Sequence, residues 1–217
     1  MLRHNWKVIS SLQSGTDGSK LSTAKIDTKS WATTSVPATV LTALVRNGLY
    51  PNPYVAMNNM RIPDASDEYN SDYDLLKFSH IPNTNPWKDP YWYRNEFTVP
   101  DSFKGKMIWL NFGEINYKAE VWLNGKRIAD TSEMIGMERV FRFEITRFVK
   151  PGSTNTIAVA IYPPNHPGKP APEPLTPFAD PGQNMADGAI ARDYTKWDVM
   201  GWDWQPAVRD RDMGITE

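Results

Sequence analysis

Cysteine is absent from the 217 residues, which removes disulfides, thiolate nucleophiles and zinc–thiolate sites. A thiol-free chain suits an oxidising compartment, so a periplasmic or secreted location is expected ahead of a cytoplasmic one, without being fixed. Histidine is nearly absent too. The three present (His4, His80, His166) are scattered at spacings that cannot grip one ion, so neither a metal nor a cofactor is expected. No apolar run approaches the length needed to cross a bilayer, and the first ten residues lack the apolar stretch of a signal peptide. Charge of one sign is missing as well: 24 Lys and Arg against 25 Asp and Glu leave a net −1 with no basic stripe. Nucleic acid and anionic membrane surfaces are therefore poor partners. Neither a Gly-rich phosphate loop nor a Ser-His-Asp arrangement is found.

What is present is alternation. Residues 91–99 place Tyr91, Tyr93, Phe97 and Val99 on one face and Trp92, Arg94, Glu96 and Thr98 on the other. Residues 107–112 form a short, mostly apolar run expected to be buried on both sides. Lys118–Leu123 alternates Ala119, Val121 and Leu123 with Lys118, Glu120 and Trp122, then meets Asn124-Gly125. That dipeptide is the strongest short hairpin signal, because a type I′ turn needs positive φ at both central residues. Residues 126–130 return, and 140–145 and 156–162 repeat the strand pattern. Only one segment reads as helix, from Pro37 to Asn47: Pro37 suits a first helical position, and apolar Val40, Leu41, Leu44 and Val45 recur at helical spacing until Gly48. Short strands about ten residues apart, with Gly- and Pro-rich turns, predict an all-β sandwich of antiparallel sheets. With no repeat and no low-complexity linker, residues 1–217 are expected to form one domain.

Two long irregular stretches, 52–87 and 163–198, hold most of the 18 prolines and many Tyr, Trp, Asp and Asn residues. Stretches this long are usually functional or disordered, and their aromatic content argues against disorder. Near the C-terminus stands Gly201-Trp202-Asp203-Trp204-Gln205-Pro206, followed by Arg209-Asp210-Arg211-Asp212. Aromatic faces pack on the apolar side of a pyranose and a carboxylate accepts hydrogen bonds from its hydroxyls. The same residues also suit a core or lid, with Asp203 capping a turn.

Four segments in order carry a resemblance. They are Val36-Pro37-Ala38-Thr39-Val40-Leu41 leading to Gly48-Leu49-Tyr50-Pro51-Asn52-Pro53-Tyr54; Tyr91-Trp92-Tyr93-Arg94 with Phe97; Ile115-Asn116-Tyr117-Lys118-Ala119-Glu120-Val121-Trp122-Leu123-Asn124-Gly125; and Gly201 to Pro206. From about Trp31 onward the chain resembles the N-terminal sugar-binding domain of glycoside hydrolase family 2, nearest the exo-β-glucosaminidase and β-mannosidase branches. The resemblance implies a jelly-roll, galactose-binding-domain-like sandwich with one short helix and long loops. It also implies that Asp203 contacts hydroxyls of a terminal β-linked sugar while Trp202 and Trp204 shape the pocket wall. The partners implied are a carbohydrate and a downstream (β/α)₈ barrel of the same polypeptide, which supplies both catalytic carboxylates.

No catalytic residue is expected within this chain, which is expected to be inactive alone. The Asn95-Glu96 pair matches the family's Asn-preceded acid/base in type only, since it lies mid-strand. Gln205 stands where the mannosidase branch has Gly, favouring the glucosaminidase-like branch and leaving the sugar open. Arg209 to Asp212 are expected to form local, exposed ion pairs contributing at most about 1 kcal/mol. Tyr54, Trp87 and Asp89 read as loop packing. An autonomous carbohydrate-binding module and a purely structural bracing domain remain the alternatives.

Overall fold

The computed structural model describes residues 1–24, 26–56, 58–65, 67, 85–165 and 208–217. In chain order the strands are β1 (Trp6–Ser10), β2 (Ala32–Thr34), β3 (Ala38–Thr39), β4 (Tyr91–Thr98), β5 (Trp109–Phe112), β6 (Ile115–Asn116), β7 (Lys118–Leu123), β8 (Lys126–Ala129), β9 (Phe141–Glu144), β10 (Thr154–Tyr162) and β11 (Gly214–Ile215). Among the described residues three short α-helices accompany them: α1 (Ser11–Ser14), α2 (Gly18–Leu21) and α3 (Val40–Arg46). The main sheet has six strands in the order β2-β1-β4-β10-β7-β8, all antiparallel. Opposite it lie a three-stranded sheet, β3-β11-β6, and the pair β5-β9.

The predicted sandwich is therefore present, and its core follows from the alternation. Val8, Tyr91, Tyr93, Val121, Leu123, Ile157, Val159 and Ile161 of the main sheet share one apolar cluster with Phe112, Ile115, Phe141 and Ile215 of the smaller sheets. Fully burying each such side chain stabilises by about 1.5–3 kcal/mol. In β10 the other face is lined by Ala158 and Ala160, small enough for Leu21, Trp31 and Trp92 to pack on them as a second cluster. The chain between β1 and β2 covers part of this outer face: Arg94 donates from Nε to Leu21 O at 3.0 Å and from Nη2 to Thr23 O at 2.7 Å. Gly18 lies so close to the Trp122 indole that an added Cβ would sit 2.4 Å from Cδ1.

The turn chemistry holds. Asn124 and Gly125 have φ of 50° and 83°, joining β7 to β8. Asn124 also donates to Phe148 O at 2.8 Å and accepts from Thr156 N at 2.9 Å, which gives asparagine a purpose beyond its tolerance of positive φ. Two expectations need correcting. The helix starts at Val40 rather than at Pro37, because Thr39 caps it by accepting from Thr42 N at 3.1 Å. Residues 107–112 are not buried on both sides: Ile108 and Phe112 face the core while Met107 and Trp109 are exposed, with Arg142 stacked 5.3 Å from the Trp109 ring. β5 is covered on one face only.

Candidate functional site: a charged anchor at the root of the C-terminal segment

Trp202, Asp203 and Trp204, the predicted substrate contacts, lie outside the described residues. What the structure describes is the chain that follows them, from residue 208 to residue 217.

Residues 208–213 make a tight turn. Arg211 N donates to Val208 O at 3.0 Å and Met213 N to Asp210 O at 3.2 Å, while Arg211 and Asp212 take φ of 53° and 57°. Strand β11 then slots between β3 and β6, pairing Gly214 with both Thr39 and Asn116 and Ile215 with Ala38 and Ile115. Only glycine fits here. A Cβ at Gly214 would lie 2.5 Å from Ala38 O and 2.6 Å from Thr39 Cα.

The charges in this turn are buried rather than solvated, contrary to the sequence reading. Arg209 is 1% exposed, Asp210 1% and Arg211 0%, and their partner Asp64 is 0%. Nor are the main ion pairs local. Arg211 forks onto Asp64, with Nη2 to Oδ1 at 2.7 Å and Nη1 to Oδ2 at 3.0 Å. Arg209 Nη1 reaches the same Oδ2 at 3.2 Å and its Nε donates to Asn59 O at 3.1 Å. Such bidentate, charge-assisted bonds are short and directional. The backbone is fixed alongside them: Ala65 N donates to Arg209 O at 2.9 Å and Asn116 Nδ2 to Arg211 O at 2.9 Å.

Asp210 points the other way, to the start of α3, where Oδ2 accepts from Leu41 N at 2.7 Å. Its Oδ1 accepts from Asp212 N at 3.1 Å. Burial, aided by the neighbouring Asp212 carboxylate, pushes Asp210 up to about 7 from an ordinary 3.8. Desolvation likewise raises the phenols of Tyr91 and Tyr93, which face the same interior. Tyr93 Oη donates to Ala38 O at 3.0 Å, tying the main sheet to β3.

The ends of the first long stretch converge on this anchor. Trp87 is buried and donates from Nε1 to Pro63 O at 2.6 Å, while Asn85 donates to Ala65 O at 2.8 Å. Tyr50, Trp87 and Tyr91 form an aromatic row with centroids 5.7 Å and 6.1 Å apart. Trp87 thus packs as expected, whereas Tyr54 is 82% exposed. Asn95 and Glu96 occupy mid-β4, with Asn95 donating to His4 O and Glu96 accepting from Arg94. That placement suits structure rather than proton transfer.

Both oxygens of Asp64 accept from guanidinium N–H groups. The anchor can bind chain and fix direction. Its partner Asp64 was missed by the sequence reading because it lies 147 positions from Arg211 and carries no periodic or motif signal. The available hint was two arginines alternating with two aspartates in a stretch rich in Trp and Gly.

Comparison with known proteins agrees with this architecture. The family described as glycosyl hydrolase 2 galactose-binding domain-like matches residues 79–217. A mannosylglycoprotein endo-beta-mannosidase of Lilium longiflorum is 33% identical over 189 residues, covering 86% of this chain and 17% of the lily protein. An exo-beta-D-glucosaminidase of Amycolatopsis orientalis is 26% identical over 210 residues, covering 96% of this chain and 15% of that protein. A crystal structure of the exo-chitosanase from the same organism superposes with a TM-score of 0.60 at 26% identity, over 76% of this chain and 17% of the other. A beta-D-mannosidase from Dictyoglomus thermophilum shares the fold, with a TM-score of 0.58 at 22% identity over 100% of this chain and 21% of the other. The chain thus spans about a fifth or less of the length of these relatives.

Proposed function

Because the chain belongs to the galactose-binding-like domain family of the glycosyl hydrolase 2 enzymes, we propose that it is the non-catalytic, sugar-contacting domain of a longer retaining exo-β-glycosidase. Residues 1–217 act as one domain of that polypeptide. In it, Asp203 accepts hydrogen bonds from hydroxyls of the terminal sugar, and Trp202 and Trp204 pack against the apolar face of the ring. The two carboxylates of a retaining mechanism, which stand roughly 5–5.5 Å apart, come from a downstream barrel. This chain contributes positioning and specificity.

One observation carries the reading. Five residues after Trp204, the chain is seized by a fully buried Asp64–Arg209–Arg211 cluster and threaded between two strands. A solvated tail needs no such root; a segment that must present a carboxylate to a ligand does. The relatives' names support a β-linked amino sugar or mannoside as the substrate class. Since the lily relative is named an endo-acting enzyme, cleavage within a mannose-bearing glycan is the second reading.

Kinetics test the role of Asp203. A charged hydrogen bond is worth about 1.5–3 kcal/mol, so Asp203→Ala in the longer polypeptide is expected to lower kcat/KM roughly 10- to 150-fold per bond lost, with Tm unchanged. Unchanged kinetics would leave only a bracing role. Calorimetric titration of the isolated chain with glucosamine, mannose or chitosan oligomers is expected to give no heat. Clear binding there would instead identify an autonomous carbohydrate-binding module.

A further inference from the structure

We infer that the loop from Gly48 to Ala56 is a docking surface, whose exposed Leu49, Tyr54 and Val55 pack against an apolar patch on a further domain of the same polypeptide. The inference rests on the reading that this chain is one domain of a longer protein, and adds to it a place of contact.

Apolar side chains scattered singly over a surface are ordinary. Three in one short loop are not: Leu49 is 63% exposed, Tyr54 82% and Val55 54%. The loop also lacks charge, since no Asp, Glu, Lys or Arg occurs between Arg46 and Arg61. Elsewhere the fold dresses its exposed aromatic rings. Lys106 lies 5.5 Å from the centre of the Phe103 ring and Arg142 5.3 Å from that of Trp109, so each ring carries a cation. Among the described residues Tyr54 meets neither a cation nor a second ring.

A mobile loop could turn such groups inward, but this one is tied in place. Gly48, at a φ of 73°, ends α3, and Leu49 N donates back to Leu44 O at 3.0 Å. Asn52 holds the far side. Its Oδ1 accepts from Tyr54 N at 3.0 Å, and its carbonyl accepts from Val55 N at 3.2 Å and from Asn58 Nδ2 at 3.1 Å. Between these ties the Tyr50 ring packs 5.7 Å from that of Trp87. A backbone fixed in this way offers a preformed apolar surface, which loses little conformational freedom when it is covered.

Size points to the occupant. A stable complex of separate proteins engages about 20–30 residues a side, and three side chains in one loop fall short of that. A tethered neighbour needs less, because the linker keeps the two surfaces at a high effective concentration. The relatives have length to supply such a neighbour, since the matched region covers 17% of the lily protein and 15% of the Amycolatopsis one. The loop is also continuous with the C-terminal anchor: in the turn that follows it, Asn59 O accepts from Arg209 Nε at 3.1 Å.

Photocrosslinking from the loop decides the matter. Tyr54→p-benzoylphenylalanine in the longer polypeptide exchanges one exposed aromatic side chain for another and leaves the core untouched. On irradiation the probe is expected to join position 54 to a residue of the same molecule outside positions 1–217, in a product that keeps the mass of one chain. A product with the mass of two chains would assign the loop to a second copy and overturn the inference. A crosslink confined to positions 1–217 would overturn it too, because the chain would then cover its own loop. So would a probe that remains unjoined, which would leave the loop in water. A polypeptide found by mass to hold nothing outside positions 1–217 would instead defeat the reading on which the inference rests, before any crosslink is sought.

Discussion

The β7–β8 hairpin and the C-terminal anchor are held by opposite means. The hairpin is local: its turn is two residues long, its positive φ values fall on Asn124 and Gly125, and its inward side chains are Ala119, Val121 and Leu123. The anchor is non-local and ionic, joining residue 64 to residues 209 and 211 with almost no solvent contact. Apolar burial is non-directional and tolerates repacking, whereas a forked ion pair fixes orientation and tolerates little. A scaffold can be built the first way. A turn held in one orientation is built the second way.

The sharpest way to break this contrast is to remove the anchor's centre. Asp64→Ala takes away the buried carboxylate that accepts from both arginines and is expected to cost about 3–5 kcal/mol, read as a fall in the urea midpoint. A loss below 1 kcal/mol would mean that water or another acid substitutes for Asp64.

The second prediction concerns pH. In the unfolded chain Asp210 titrates near 3.9, whereas burial and Asp212 raise it to about 7 in the fold. A folded-state value above the unfolded one means that the native state binds the extra proton. The stability contributed by Asp210 is therefore full below about pH 4 and is lost as pH rises to about 7, at up to about 1.4 kcal/mol per unit. Asp210→Asn, which mimics the protonated side chain, is expected to remove that slope. The exposed carboxylates of Asp17, Asp130 and Glu144, held low chiefly by hydrogen bonds from Ser19, Ser132 and Thr146 respectively, run in the opposite direction but are common to both proteins. The comparison is thus the wild-type stability minus that of Asp210→Asn at pH 4.5 and pH 8. Parallel curves would contradict it.

Third, Gly214→Ala is expected to destabilise by about 1–3 kcal/mol, since the atoms its Cβ would meet belong to the β3 backbone and cannot rotate aside. Thermal melts would show it. The smallest effect belongs to a surface pair. Lys104 and Asp101 approach to 2.6 Å, but both are about two-thirds exposed, so Lys104→Ala is expected to change stability by less than about 1 kcal/mol. Similar losses from Lys104→Ala and Asp64→Ala would erase the distinction between exposed and buried charge on which the comparison depends.

Legibility in the sequence follows the same division. Period-two alternation and Asn124-Gly125 revealed β4, β7, β8, β9 and β10, because local rules govern them. Strand β1 escaped notice: Trp6-Lys7-Val8-Ile9-Ser10 is short, and only Trp6 and Val8 of it are buried against the main core. On the second face of β4, Trp92 and Arg94 are buried because α1, α2 and the chain near Trp31 fold over them, a tertiary event with no signature in β4. Arg209 to Asp212 misled for a similar reason. Four alternating charges look solvated until the acid that pairs with the two arginines is known, and that acid lies beside Pro63 in another long stretch. Trp202, Asp203 and Trp204 were singled out from residue type and family resemblance, and their role stands as a proposal.

Native-state hydrogen exchange tests most directly whether the anchor is a separate lock on an independently stable scaffold. The amides of Ala65 and Leu41 bond to Arg209 O and Asp210 Oδ2, whereas those of Val121 and Val159 lie in the main sheet. In the native protein the first two are expected to exchange through local opening at a lower free energy, while the sheet amides exchange only on global unfolding. Exchange of all four at the same, global free energy would contradict the account, because the anchor would then be one more part of a single cooperative core.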